Sequence, residues 1–508
     1  MKFLRSLAVS FGLFCLGSGS LLRPDEFVDD PGQQTYTTFK HEAFPEHSVR
    51  IRPVNGFCDP VVNSFVGYID IGARHLFFYY FESRNEPAKD DVVLWLNGGP
   101  GASATLGLFT ELGLQAPVGL GLTDSDKGPC TIISDNATEY NPYSWNSKAN
   151  LLFIDQPVGV GFSYAHAGET VVYFTIRVFN PASLTAEKET TEAAAKDVAA
   201  FLAIFFESMD GLKGRPFHMA GESYGGRYIP LFAAQLYDQN RRLGQIGMTP
   251  INLISALIGN GCSDRYNMIT SYYYMQCSTF AGTPIQSISV CTQMKQALPR
   301  CRNALRTHCE ESFDMINCGA AQSFCASVLE TPFYLTGKSV YDMRTECIGD
   351  VQDTLCYPQT KHIPKYLNLS STRAILGIDE RSPEFALVSW PVNTAFTTSG
   401  DTLKSSGLFI EALLERGVRV LVYAGTYDFI CNFVGNDRFT RDLEWYGQKQ
   451  FGAQPLRDWL VDGKPAGETR AFGELTFATL NDAGHQAPHD SPANALELLN
   501  RWLAGSPL

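Results

Sequence analysis

The chain has 508 residues, 44% of them hydrophobic and 18% charged, and a formal net charge of −13. That length supports a large buried core, and the modest charged fraction excludes a wholly disordered chain. The acidic excess excludes nucleic acid and anionic membrane surfaces as electrostatic partners.

The chain opens with a targeting segment over Met1 to Ser20. Lys2 and Arg5 form a basic start, Leu7 to Leu16 an apolar stretch, and Gly17 to Ser20 a small-residue cleavage zone. The apolar stretch is too short to span a bilayer, so a cleaved secretory signal is expected and no membrane anchor. The expected destination is secretion, with the vacuole or lysosome as the alternative. Residues 21–48 are an N-terminal segment and a possible propeptide. Loss of the signal removes Cys15 and leaves twelve of the thirteen cysteines, an even number that suits disulfides in an oxidising lumen. No C-x2-C pair occurs and the histidines are not interleaved at ligand spacing, so no metal site is expected. Asn136-Ala-Thr138 and Asn368-Leu-Ser370 are glycosylation sequons.

From about residue 57 to 260, strand patterns alternate with helix patterns. Strands are expected at 65–71, 76–82, 92–96, 151–154, 216–220 and 251–259, with a helix over 187–209 whose apolar positions include Val198, Leu202, Phe205 and Phe206. A second such region covers about 386–505, with strands at 418–423 and 475–480 and helices at 402–415 and 492–503. Interleaving of this kind predicts an α/β fold with a mostly parallel central sheet covered on both faces. Between the two regions, nine of the twelve remaining cysteines fall from Cys262 to Cys356, in sequence with helical spacing. A disulfide-rich helical insertion at about 262–385 is expected there, forming a cap within one catalytic domain that spans 49–505. Cys347 and Cys356 form the nearest expected disulfide, and the other pairings stay open.

Chemistry enters at Gly221-Glu222-Ser223-Tyr224-Gly225, set between the apolar run 216–220 and a helix-prone run from Arg227. A serine on so tight a strand-to-helix turn presents its hydroxyl, as in the nucleophile elbow of α/β-hydrolases. That arrangement needs an acid and then a histidine downstream. His485 follows the strand 475–480, and Asp428 follows the strand 418–423. His308 and His362 lie in the cysteine-rich insertion, and His489 is expected at the surface. Asp401 and Asp437 are expected to act as caps or solvated charges. Ser223, Asp428 and His485 are therefore the expected nucleophile, orienting acid and base. Tyr224 N–H and Gly99 N–H, the latter in Asn97-Gly98-Gly99-Pro100-Gly101, are the expected oxyanion donors.

The blocks Trp95 to Gly101, Asn141 to Asn146, Asp155 to Tyr164, Gly221 to Gly226, Tyr341 to Arg344, Cys356 to Pro358, Tyr423 to Asn432 and Gly484-His485 together resemble the serine carboxypeptidases. The resemblance spans about 55–505. It implies an α/β-hydrolase fold with a helical insertion, and release of single amino acids from peptide C-termini through an acyl-enzyme, with no metal or organic cofactor. It also places Asn97, Glu111 and Glu222, with Trp95 supporting, around the substrate carboxylate, and Ile430, Cys431 and Gln486 beside the substrate pocket. Carboxyls gathered around a carboxylate must share protons, so peptidase activity is expected to peak at acidic pH, about 4 to 6.

The chain departs from the family pattern at several points. Ala102 and Ser103 stand where a cysteine usually follows Gly101, so that disulfide is absent. Gln486 replaces a methionine that contributes to the pocket for the leaving residue. Cys431 matches a position where the thiol is free in the family. The rival readings are a carboxylesterase, lipase or acyltransferase on the same fold, and a non-catalytic binding protein. Carboxyls beside the elbow oppose a lipase, and the complete set Ser223, Asp428 and His485 opposes the binding protein.

Overall fold

The computed structural model describes residues 36–54, 56–112, 130–166, 190–209, 211–279, 282–349 and 351–508. The expected signal and most of the N-terminal segment lie outside the described residues, as does the start of the helix expected over 187–209.

Strands β1 (Thr37–Lys40), β2 (His47–Val54), β3 (Ser64–Ile71) and β4 (Arg74–Phe81) form an antiparallel meander. β5 (Val92–Leu96) follows, then a separate hairpin of β6 (Cys130–Ser134) and β7 (Ala137–Tyr140), then β8 (Asn150–Ile154) and the short β9 (Tyr164–Ala165). β10 (Pro216–Glu222), β11 (Asn252–Gly259) and β12 (Arg419–Gly425) continue the sheet. β13 (Arg457–Val461), β14 (Lys464–Phe472) and β15 (Leu475–Leu480) complete it. The strand order is β1-β2-β3-β4-β8-β5-β10-β11-β12-β15-β14-β13, with β9 paired to β4. The central run from β8 to β15 is parallel, and both wings are antiparallel. The parallel strands are nearly unbroken apolar runs, such as Val92-Val-Leu-Trp-Leu96, because helices or loops cover both of their faces.

Helix α1 (Thr191–Ser208) starts where the Thr190 hydroxyl accepts from Ala193 N, and it buries Val198, Phe201, Leu202 and Phe205 against the sheet. Each such side chain contributes about 1.5–3 kcal/mol by leaving water. Helix α2 (Gly225–Gln245) runs back from the end of β10, its first half buried. Between β11 and β12 lies the helical insertion, built on α3 (Arg265–Cys277), α4 (Ile288–Leu305) and α5 (Met315–Leu329). Four disulfides staple it: Cys277–Cys291, Cys301–Cys325, Cys309–Cys318 and Cys347–Cys356. Cys58–Cys130 ties the first wing, and Cys262–Cys431 joins the end of β11 to the loop after β12.

Two expectations need correction. The helix expected over 402–415 is a short turn, Asp401–Leu403, followed by a helix only from Gly407 to Leu414. Ser406 breaks it, because its hydroxyl donates to Gly226 O and its N–H to Ser263 O. Nor are Asp401 and Asp437 solvated charges. Asp401 is fully buried, and Asp437 is clamped by Arg441 and Arg470.

Candidate active site

The site sits at the carboxyl ends of five adjacent parallel strands, the position at which open α/β sheets leave a crevice. Asn97 follows β5, Glu222 closes β10, Asn260 follows β11, Asp428 follows β12 and His485 follows β15. Side chains separated by hundreds of residues converge because the strand ends do.

Ser223 occupies the turn between β10 and α2 with φ +62°, a left-handed conformation that is costly for a residue with a Cβ. The turn is over-determined. Ser223 N donates to Gly259 O and Asn260 O at 3.2 Å, and Ser223 O accepts from Gly226 N and Cys262 N at 2.9 Å. Glycines permit this crowding: a Cβ on Gly98 would lie 2.2 Å from Tyr224 N, and one on Gly226 would lie 2.6 Å from Ser263 Oγ. Gly98 therefore lies against the elbow, which brings Gly99 (φ +99°) beside Tyr224. Among the described residues, neither Gly99 N–H nor Tyr224 N–H is taken by a backbone carbonyl. Both amides are thus open donors for a developing oxyanion.

His485 is fixed from two sides. Its backbone N–H donates to Tyr341 O at 2.7 Å, and its Nδ1 lies 2.8 Å from Asp428 Oδ2. Asp428 is fully buried, and its Oδ2 also accepts from Asn260 Nδ2 at 2.8 Å. Asn260 was not anticipated from the sequence. It holds φ +43° at the end of β11, and its Nδ2 also reaches Gly484 O at 3.2 Å, so one amide braces both the acid and the histidine loop. The other face of the imidazole meets a carboxylate: Nε2 lies 3.0 Å from Glu222 Oε1. No hydrogen bond joins the Ser223 hydroxyl to the ring in this arrangement. Burial pulls the imidazolium down, but Asp428 and Glu222 more than offset it and raise the His485 pKa well above its ordinary value.

The carboxyl cluster is built around Asn97. Trp95 Nε1 and Gly107 N donate to Asn97 Oδ1 at 2.9 and 2.8 Å, which fixes the amide with its NH2 toward the acids. Asn97 Nδ2 then donates to Glu111 Oε1 at 2.7 Å and Glu222 Oε2 at 2.8 Å. Glu111 stands at the end of a π-helical turn, Gly107–Glu111, which the apolar Leu-Gly-Leu-Phe stretch buries whole. A Cβ at Gly107 would meet Trp95 Nε1 at 2.0 Å, so the turn docks on the indole only with glycine there. Glu111 is not a helix-surface charge but 2% exposed. Burial, and then the charge of Glu222, push its pKa well above the ordinary value, so it is a neutral acid. Its Oε2 is buried without a hydrogen-bond partner.

A cleft of about 160 Å³ opens over Glu222, Ser223 and His485, while Trp95, Asn97 and Glu111 are not among its lining residues. Glu222, Ser223 and His485 form its floor; Tyr341, Leu355 and Trp390 from the insertion side form much of its wall. Ile430 and Gln486 also line it, and Gln486 Oε1 is a buried acceptor without a partner. Cys431 does not line it: its sulfur is bonded to Cys262 and the side chain is fully buried. The free-thiol pattern therefore does not extend to this chain. At the place of the missing cysteine, Ala102 makes a β-bridge with Val388, and Ser103 Oγ donates to the buried Asp155 at 2.5 Å.

The remaining site residues are distributed as follows. His489 is half-buried between Asp490 and Gln359 rather than free at the surface. Asn136 is exposed on the β6–β7 turn. By contrast, the second sequon asparagine, Asn368, spends its amide on both Phe385 N and Phe385 O.

The family model described as serine carboxypeptidase matches residues 56–505. The chain belongs to that family. It is 37% identical to Carboxypeptidase Y of Candida albicans over 465 residues, covering 91% of this chain and 77% of that protein. It is 35% identical to the vacuolar serine-type carboxypeptidase ATG42 of Saccharomyces cerevisiae, covering 94% of this chain and 86% of that one. Among solved structures, the prohormone-processing carboxypeptidase Kex1Δp of Saccharomyces cerevisiae superposes with a TM-score of 0.68 at 23% identity, covering 88% of this chain and 92% of that one. This chain is accordingly a serine-type carboxypeptidase that acts on peptide C-termini, on an α/β-hydrolase fold.

Proposed function

We propose that Ser223 attacks the last peptide carbonyl, with His485 as base, Asp428 and Asn260 holding the ring, and Gly99 and Tyr224 N–H groups receiving the oxyanion. The departing amino acid takes its proton from His485, and water then releases the acyl group from Ser223. The substrate's terminal carboxylate lies against Asn97, Glu111 and Glu222. Gln486, with its unused carbonyl, borders the leaving residue, and the Tyr341, Leu355 and Trp390 wall suits an apolar residue before the bond.

The observation that carries this reading is the position of Glu222 between His485 Nε2 at 3.0 Å and Asn97 Nδ2 at 2.8 Å. With the site empty, the proton of this pair rests on the imidazole, which cannot then act as a base. An arriving substrate carboxylate favours the other arrangement. The proton crosses to Glu222, which becomes a neutral hydrogen-bond donor to the substrate, and Nε2 is left with the lone pair that Ser223 needs. No proton enters or leaves. Recognition of a free C-terminus and activation of the nucleophile are then one event.

The pH dependence follows. Below the acid limb His485 keeps its proton even with substrate bound, and the base is lost. Above the alkaline limb His485 has lost the proton that would offset the substrate carboxylate among these acids: the base still works, but KM for peptides rises. A C-terminal amide needs no carboxylate partner and should escape that alkaline limb. The test is kcat/KM against pH for a blocked dipeptide and its amide, alongside labelling of Ser223 by an organophosphonate. Coincident alkaline limbs would remove the carboxyl account while leaving the labelled nucleophile intact. The expected signal segment and the six disulfides among the described residues support a secretory-pathway enzyme, and the expected acidic optimum suits an acidic lumen or the cell exterior.

A further inference from the structure

Away from the catalytic cleft, α3, α4 and the helix Phe433–Asp442 pack together. Tyr266, Thr270 and Tyr274 recur every four residues along one face of α3. Opposite them, Arg302 and Arg306 lie four apart at the end of α4, and Arg438 and Arg441 three apart on the helix Phe433–Asp442. The four arginines line a cleft of about 320 Å³ with Tyr266 and Thr270, and it continues along Asn303.

Three of these arginines are held by phenols rather than by acids. Arg302 donates to Tyr274 Oη at 3.1 Å, Arg306 donates to Tyr266 Oη at 2.9 Å, and the Arg438 guanidinium lies 4.0 Å from the centre of the Tyr274 ring. Arg441 is paired with Asp437, and the one carboxylate lining the cleft, Asp442, accepts from Asn267 Nδ2 at 3.1 Å. Among the described residues, Arg302, Arg306 and Arg438 make no ion pair with a carboxylate. Like charges three and four apart weaken a helix, and a chain of net charge −13 has carboxylates to spare. The strain registers in the titration of the cluster. Burial, with the positive charges of Arg302 and Arg441, lowers the Arg438 pKa despite Tyr274. Burial would raise the Tyr274 phenol, yet Arg302 and Arg438 bring it below its ordinary value.

We propose that this cleft binds a tetrahedral oxyanion, a phosphate or phosphomonoester group, between Arg302, Arg306 and Arg438. Planar guanidinium forks converging from two helices match the several oxygens of such an anion better than the two of a carboxylate. The helix Phe433–Asp442 begins directly after the loop of Asp428, so the bound anion would tie the insertion to the element that follows the catalytic acid.

The test is thermal unfolding of the mature protein at neutral pH and fixed ionic strength, with sodium chloride replaced stepwise by inorganic phosphate and, separately, by phosphoserine. A saturable rise in Tm with phosphate alone identifies a site for the free ion, and an equal rise with phosphoserine a site for the ester. In the double variant Arg302→Gln, Arg438→Gln the midpoint should move to at least tenfold higher anion concentration, since each lost charge-assisted bond is worth about a factor of ten. Arg438→Lys, which keeps the charge and loses the fork, should lie between. Equal rises in wild type and double variant, or no rise beyond that with chloride, would overturn the proposal. Should the double variant not fold, broadening of the phosphate ³¹P resonance by wild-type protein, displaced by sulfate and not by chloride, decides the matter; absence of broadening overturns it.

Discussion

The nucleophile elbow stands between two buried charge clusters that solve the same problem in opposite ways. Beneath it, Asp401 accepts from Tyr224 Oη at 2.6 Å, from Thr191 Oγ1 at 2.5 Å and from Arg227 through both Nε and Nη2. Burial would raise the Asp401 carboxyl, but Arg227 holds it below its ordinary range, so the pair is ionised and matched charge for charge. Above the elbow, His485 is the cation paired with Glu222 among the described residues, and Glu111 is held neutral by burial and the charge of Glu222, with its Oε2 left unbonded. The lesson concerns completeness. A carboxyl met by donors on both oxygens, as Asp401 is, holds structure; one with an oxygen left unmet, as Glu111 is, is shaped for a ligand that supplies the partner.

The sharpest way to break this comparison is to empty each cluster in turn. Asp401→Asn leaves Arg227 buried without its main counter-charge, and breaking a buried pair costs about 3–5 kcal/mol. Denaturant unfolding should show a loss of that size, and Arg227→Met with Asp401→Leu should recover much of it by replacing the pair with apolar packing. A loss below about 1 kcal/mol for Asp401→Asn would show that Glu192, 2.8 Å from Arg227, already compensates the guanidinium.

In the upper cluster the expected effect is smaller and falls on catalysis. Glu222→Gln keeps a donor toward the substrate carboxylate but removes the group proposed to exchange a proton with His485. Peptide kcat/KM at acidic pH should fall about tenfold, the worth of one charge-assisted hydrogen bond, with stability nearly unchanged. The profile should also change shape. Without the Glu222 charge the imidazole titrates lower, which extends activity on the acid side, and the alkaline limb in KM should vanish because Gln does not ionise. An alkaline limb that survives in this variant would assign it to another group.

The two clusters were not equally legible in the sequence. The parallel strands, Ser223, Asp428 and His485 could be found because strand-then-loop order and residue type constrain them, and the Glu111–Glu222 pairing came with the family resemblance. The lower cluster left no such trace. Asp401 follows Gly400 at the start of a short turn and looks like a cap; only the packing of α1 and α2 brings Thr191, Tyr224 and Arg227 onto it. Asn260 was missed for the same reason: it acts through contacts 168 and 224 residues away. The hairpin β13–β14 was missed because the edge strand Arg457-Asp-Trp-Leu-Val461 and its neighbour Lys464–Phe472 are polar where they meet solvent. The Cys262–Cys431 bond was hidden by likeness itself, since the family pattern at Cys431 suggested a free thiol and the partner lay in a different block.

The finest test asks whether the lower cluster does anything but hold the fold. Tyr224 belongs to both worlds: its hydroxyl bonds Asp401 at 2.6 Å, while its backbone N–H is one of the two proposed oxyanion donors. Tyr224→Phe removes only the hydroxyl and leaves Asp401 with Arg227 and Thr191. One buried hydrogen bond of this kind is worth about 1 kcal/mol, or somewhat more because its acceptor is charged. The stability loss should be that size. If the elbow is fixed by its backbone bonds to Gly259, Asn260 and Cys262, kcat should fall less than about threefold, which is within 0.7 kcal/mol of transition-state stabilisation. A fall of tenfold or more in kcat with KM unchanged would mean that Asp401 positions the oxyanion donor through the phenol, and that the charge-matched cluster serves catalysis as well as structure.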